Sequence, residues 1–197
     1  VRVLNEEARF VARTELQAGR YRIRSKRIVL ATGSRPTLPP IPGLAETPHF
    51  TNETIFANRT LPTHLVVIGG GPIGLEMAQA FRRLGSRVTV LEAATFLAKD
   101  DPELSAIVVA RLRAEGVDLR DGVRIANVAP GAVSLGDGTR IEGSHLLVAA
   151  GRAPTIGGLD LDQAAIEHTP KGITVDSGLR TTNRNVWAIG DCNGLPA

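Results

Sequence analysis

The stretch Leu65-Val66-Val67-Ile68-Gly69-Gly70-Gly71-Pro72-Ile73-Gly74 constrains the fold more than any other part of the sequence. Its first four residues are continuously apolar, the pattern of a strand buried on both faces of a parallel sheet. Glycines follow at once, and Pro72 stands where the first turn of a helix tolerates a missing N–H. Apolar residues then recur at helical spacing over 73–84, with Gly85 as a C-terminal stop. Residues 87–92 alternate and are rich in β-branched side chains, as a second strand should be. Asp101-Pro102-Glu103 combines an N-cap, a proline at the first helical position and an acid in the first turn. A second helix is expected from there to about Glu115, stopping at Gly116, with a third strand over 117–119. The order is βαβαβ, an α/β unit built on a parallel sheet.

Gly69, Gly71 and Gly74 satisfy G-x-G-x-x-G, which taken alone is a weak signal. Here a buried strand precedes it, a helix follows, and an acid ends the next strand, which is the context a dinucleotide site requires. Gly69 permits the tight turn, Gly71 lets a diphosphate approach the backbone, and Gly74 lets helix and strand pack closely. Gly70, Pro72 and Ile73 complete the turn, whose free N–H groups and helix dipole attract the diphosphate. Glu92 can accept from both hydroxyls of an adenosine ribose and repels a 2′-phosphate, and residues 93–97 offer no Lys or Arg to hold one. The pattern predicts NAD(H) rather than NADP(H). A solvated acid at a strand end would occupy the same position.

The flanks read differently. Residues 1–30 suggest short strands at 8–13, 20–24 and 27–30, and the prolines of 33–43 mark a stiff connector that excludes helix and sheet interior. Residues 58–63 form another connector. After Asp121, turns such as Gly136-Asp137-Gly138 predict an antiparallel excursion before a buried strand at 145–149. A loop-rich stretch at 152–172, a short strand at 173–175 and a buried run at 186–189 follow, the last ending at Gly190-Asp191. A carboxylate at such a strand end can accept from a polyol, or simply cap a turn. The net charge of +3 is spread along the chain, and no aromatic ladder accompanies the arginines of 1–27, so nucleic acid is not an expected partner. No apolar run has the length of a bilayer span and no signal-peptide pattern opens the chain, so a membrane partner is not expected and a cytoplasmic setting is. The single cysteine, Cys192, cannot form an internal disulfide, and four scattered histidines give no metal cluster.

Taken in order, Ala31-Thr32-Gly33-Ser34-Arg35-Pro36, the glycine motif with Glu76, Gly151-Arg152-Ala153-Pro154, and residues 181–191 resemble class I pyridine nucleotide-disulfide oxidoreductases. Dihydrolipoamide dehydrogenase, mercuric reductase and glutathione reductase belong to that family. The resemblance covers essentially the whole chain and implies a Rossmann-like FAD/NAD(P)-binding three-layer ββα sandwich. An NAD domain over 61–152 would be inserted into a partial FAD domain, with 1–60 as its second half and 153–197 as the return to it. Thr32, Gly33 and Ser34 would lie against the flavin nucleotide, and Asp191 would bond its ribityl chain. Ile125 would touch the adenine side of NAD, Gly151 would lie near the nicotinamide, and Glu76 would pair with a lysine beside the flavin. Pro72 stands where some relatives carry an aromatic gate, and Cys192 would be a small residue packed beside the FAD site.

The family's C-x-x-x-x-C pair, its first glycine motif and its C-terminal His-Glu pair do not occur in this sequence, so the resemblance is to a chain shortened at both ends. No residue here is expected to be a chemical catalyst, and the fragment alone is expected to be inactive. In the intact enzyme, hydride would pass between NADH and flavin and on to a disulfide, most like dihydrolipoamide dehydrogenase, and a homodimer is an assembly the family allows. A non-disulfide flavoprotein such as an NADH oxidase or ferredoxin reductase, and a non-catalytic NAD-sensing module, are the alternatives.

Overall fold

A computed structural model describes residues 1–195. Strands β1 (Ala8–Ala12), β2 (Glu15–Ala18), β3 (Tyr21–Arg24), β4 (Ile28–Leu30) and β5 (Ser34–Pro36) come first. Then follow β6 (His64–Ile68), helix α1 (Pro72–Arg83), β7 (Arg87–Leu91), helix α2 (Pro102–Ala114) and β8 (Asp118–Arg120). Strands β9 (Ile125–Ala129), β10 (Ala132–Leu135), β11 (Arg140–Glu142) and β12 (His145–Val148) precede β13 (Arg152–Pro154), β14 (His168–Thr169), β15 (Gly172–Ile173) and β16 (Val186–Ala188). The chain divides into two compact units, one joining Val1–Arg35 to Arg152–Ala197 and the other formed by Pro36–Gly151. Among the described residues no helix is long and apolar enough to cross a membrane.

The Pro36–Gly151 unit is built on a parallel sheet in the order β12-β6-β7-β8. Successive side chains of β6 point to opposite faces, and both faces are covered, which is why its apolar run is unbroken. Leu65 and Val67 pack with Leu75 and Ala78 of α1, Leu112 of α2, and Val88 and Val90 of β7. Val66 and Ile68 pack with Val128, Val133 and Ile141 of the antiparallel meander β9-β10-β11 on the other face. The unit therefore has helix, parallel sheet and meander as three layers. Helix α1 starts on Gly71 and Pro72 and ends before Gly85, whose φ of 108° suits the reversal there. Helix α2 is capped by the Asp101 carboxylate, which accepts from Glu103 N at 2.9 Å and Leu104 N at 3.3 Å.

Residues 36–60 group with this compact unit. Leu44 enters the meander-side core and Ile55 the helix-side core. Phe50 extends the sheet beyond β12: its N–H donates to Leu146 O at 2.7 Å, and Val148 N donates to its carbonyl at 2.8 Å. A proline-rich stretch with isolated apolar anchors shows no periodicity, so its allegiance was hidden.

In the other unit, β1-β2-β3 form a meander and β16 runs parallel to β4. Phe10, Ile28, Leu30, Ile166, Ile173 and Val186 make its core. The second strand of the meander, Glu15–Ala18, was not read from the sequence because only Leu16 and Ala18 mark its pattern. The start of the proline-rich connector, Ser34–Pro36, pairs with Arg152–Pro154 at the edge of a two-stranded sheet, which the exclusion of sheet interior allows. Proline is compatible with such an edge because one side of the strand needs no donor. Asn183, 1% exposed, ties the return segment down: its Nδ2 donates to Arg13 O at 2.7 Å and Ala164 O at 2.9 Å.

Candidate functional site

In the Pro36–Gly151 unit the glycine turn sits at the C-terminal ends of β6 and β7, where open α/β sheets bind ligands. Gly69 has φ 114°, and a Cβ there would strike the Ala149 carbonyl beyond β12. Its N–H donates to Leu91 O at 2.9 Å, locking the turn to β7. A Cβ at Gly70 would enter the Phe96 ring, and one at Gly74 would land on the Gly69 carbonyl. Gly71 differs from these three: nothing lies within 4 Å of where its Cβ would be. Its neighbours Ile73 and Gly74 are in the first turn of α1, where N–H groups have no intrahelical acceptor. The result is an open backbone surface at Gly71, beside N–H groups at the positive end of a helix dipole.

Glu92, directly after β7, bends over this surface. Its Oε2 accepts from Gly70 N at 2.6 Å and its Oε1 from Ala94 N at 2.8 Å. Both oxygens are thereby fixed, and each keeps a lone pair for a further donor. The next loop comes up beside it: Val123 N donates to Glu92 O at 3.1 Å and Gly122 N to Ala94 O at 2.9 Å. Ile125 begins β9 just beyond, half-buried against the meander-side core. Gly151 follows β12, and its carbonyl accepts from Thr37 N at 3.1 Å. Glu76 is exposed one turn inside α1 and forms no ion pair among the described residues.

The residues singled out in the other unit also converge. Thr32 Oγ1 donates to Thr155 O at 2.6 Å, and Thr155 N donates to Gly33 O at 2.8 Å. Ser34 Oγ donates to Asp191 Oδ2 at 2.6 Å. Arg152 Nε donates to Ser34 Oγ at 2.7 Å and Nη2 to Ser34 O at 2.6 Å. Asp191 lies in the turn Gly190–Asn193 after β16 and is exposed, whereas Cys192 is fully buried with its thiol 3.2 Å from Ile189 O. Space is open in the Cβ directions of Gly33 and Gly190. Arg152 stands within a motif of the sequence that by itself assigns it no role. Its signal was only adjacency to Gly151. No group of three or more His, Cys, Asp or Glu among the described residues could hold a metal.

The family described as pyridine nucleotide-disulphide oxidoreductase matches residues 1–197. The chain belongs to that family. It is 36% identical to mercuric reductase of Shigella flexneri over 210 residues, which covers 100% of this chain and 37% of that protein. It is 34% identical to the probable pyridine nucleotide-disulfide oxidoreductase RclA of Escherichia coli (strain K12) over 202 residues, covering 98% of this chain and 46% of that protein. The solved structure of HOCl-induced flavoprotein disulfide reductase RclA from Escherichia coli matches with a TM-score of 0.91 and 32% identity, over 98% of this chain and 46% of that one. The chain thus spans less than half the length of these relatives. Their fold bears out the Rossmann-like α/β class, and the family bears out the oxidoreductase resemblance carried by the four ordered motifs.

Proposed function

We propose that this chain is the NAD(H)-binding part, with adjoining FAD-contact segments, of an oxidoreductase that passes hydride between NADH and flavin and on to a disulfide. The observation that carries the reading is the Glu92 carboxylate, held by the Gly70 and Ala94 N–H groups beside a turn whose Gly71 has an open Cβ direction. Residues 36–151 would form the NAD domain and the other unit the partial FAD domain. The donor set fits both cofactors. The N–H groups of Ile73 and Gly74 suit a diphosphate, Glu92 suits a ribose diol, and the exposed Asp191 beside bare Gly190 suits a polyol.

When bound, nicotinamide and flavin supply the redox chemistry. The residues of this chain bind and orient. Gly71 admits the diphosphate to the helix terminus, and Glu92 fixes the adenosine ribose and rejects a 2′-phosphate. Thr32, Gly33, Ser34 and Asp191 would hold the flavin nucleotide, Ile125 the adenine side and Gly151 the nicotinamide side of NAD, and Glu76 would offer a carboxylate to a lysine outside this chain.

Titration of the full-length protein with NADH and NADPH tests the reading. NADH should bind at least about tenfold more tightly, a difference of ~1.4 kcal/mol, and Glu92→Ala should erase the preference. Tighter binding of NADPH would overturn the assignment to NAD(H). The second reading is a non-disulfide flavoprotein, since the ferredoxin reductase for the CYP199A2 system from Rhodopseudomonas palustris also matches, with a TM-score of 0.85 and 28% identity over 95% of this chain and 49% of that one. A cysteine pair spaced by four residues in the complete reading frame decides for the disulfide reductase, and its absence decides for the ferredoxin-reductase type.

A further inference from the structure

We propose that Arg152 is a positioning residue for flavin binding, acting on Asp191 through Ser34. The inference rests on the reading of Asp191 as the acceptor for the flavin's polyol chain. Three groups form a chain with a single possible direction. A guanidinium can only donate and an ionised carboxylate can only accept. Arg152 Nε therefore donates to Ser34 Oγ at 2.7 Å, and the one hydroxyl hydrogen of Ser34 goes to Asp191 Oδ2 at 2.6 Å. Arg152 Nη2 donates at the same time to the Ser34 carbonyl at 2.6 Å. The planar fork thus fixes both the hydroxyl and the backbone of Ser34, which a lysine ammonium cannot do. Asp191 is left with Oδ2 committed and Oδ1 aimed by that commitment, in a turn where Gly190 presents no side chain.

The same segments are tied independently of the arginine. Thr155 N donates to Gly33 O at 2.8 Å and Thr32 Oγ1 to Thr155 O at 2.6 Å. Arg152 is exposed, so its removal strands no buried charge. These ties remain when Arg152 is replaced, while its two bonds to Ser34 bear on the orientation of Ser34 and Asp191.

The test uses the full-length protein, with flavin affinity of the apoprotein measured by fluorescence quenching and the visible circular dichroism of bound flavin as the signature of its orientation. Arg152→Ala and Ser34→Ala should each weaken flavin binding by about tenfold, the effect of losing one charge-assisted hydrogen bond. Each should change the dichroism while leaving the melting temperature of the apoprotein nearly unchanged. Arg152→Lys should recover little. In an Asp191→Ala background, Arg152→Ala should cost less than about twofold more, because its target is gone. A full tenfold loss in that background, or an unchanged affinity in the Arg152→Ala protein, overturns the proposal while leaving the Asp191 reading intact. If Asp191→Ala itself binds flavin normally, the reading beneath it fails. Should Arg152→Ala not fold, Ser34→Ala carries the same comparison.

Discussion

Gly71 and Gly74 share one motif but answer to different constraints, and replacing each with alanine separates them. At Gly74 the new Cβ lands on the Gly69 carbonyl. Gly69 itself sits against the Ala149 carbonyl, whose carbon would lie 2.6 Å from a Cβ at position 69. Overpacking of this kind costs about 1–3 kcal/mol, and a backbone–backbone clash belongs at the upper end. Alanine returns about 1 kcal/mol of helix propensity, so the net loss is roughly 2 kcal/mol. The melting temperature of the intact protein should fall by about 4 °C, since ~2 kcal/mol shifts a chain of 150–250 residues by ~4–8 °C and a longer one by less. At Gly71, φ is −78° and ψ −179°, an ordinary extended conformation, and nothing lies within 4 Å of the added carbon. A poorer N-cap and a less flexible unfolded chain nearly cancel, leaving a shift of roughly zero. The methyl group would instead stand where the diphosphate should lie, so NADH affinity should fall by more than about tenfold. Thermal melts and NADH titrations of the two variants read both effects. A Gly71→Ala protein that melts as early as Gly74→Ala, or binds NADH normally, would show that the open side of Gly71 is not a ligand surface.

Glu115 closes the C-terminal ends of α1 and α2, with its Oε1 2.7 Å from both Arg83 Nη2 and Arg111 Nε. Hydrogen bonding from Arg83, and then from Arg111, holds its carboxyl down to about 2. Its folded pKa lies below the unfolded value, so its stabilising contribution is present above about pH 4.5 and is lost as pH falls toward 2. Urea midpoints measured across that window should lose part of their pH dependence in Glu115→Gln, and identical slopes would contradict the assignment. His64 is pushed below its ordinary pKa by burial and then by the charge of Arg87. Its neutral form is favoured by folding, so stability should drop as pH falls from about 6.5 through the folded value, and His64→Gln should flatten that drop. An NMR titration placing the ring above 6.5 would reverse the sign. Removing the Asp101 cap in Asp101→Ala should cost about 1 kcal/mol, visible as an earlier melt, and an unchanged melt would mean that the two N–H bonds at α2 are replaced by water at no loss.

The parallel sheet was legible in the sequence because its signals are local and mutually consistent. The apolar run of β6, the proline and glycine that bracket α1, and the Asp101 cap of α2 each specify their own element and together specify the order. The turn that carries Glu92 was legible for the same reason. What stayed hidden was held by contacts distant along the chain. Leu44, Phe50 and Ile55 each enter a core through a single side chain, and a lone apolar residue among prolines has no period to betray it. Phe96 closes over Gly70, yet in the sequence it was only part of an uncharged stretch after Glu92.

The Arg152–Ser34–Asp191 chain shows a further limit. Motif order placed Ser34 and Asp191 near one cofactor, since a strand-end hydroxyl and a strand-end carboxylate both suit a polyol. It did not show that they bond each other at 2.6 Å. That bond commits one carboxylate oxygen within the protein, so the serine sets the direction of the remaining one. Nor does the position of Arg152 beside Gly151 distinguish an arginine that meets the ligand from one that acts through a neighbour. The fork from Nε and Nη2 onto a single serine uses two of the guanidinium's five N–H donors on the protein itself. An arginine so engaged has fewer donors left for a phosphate. Its loss should therefore change how a bound flavin is oriented as well as how tightly it is held, which is why the dichroism belongs in the test beside the affinity.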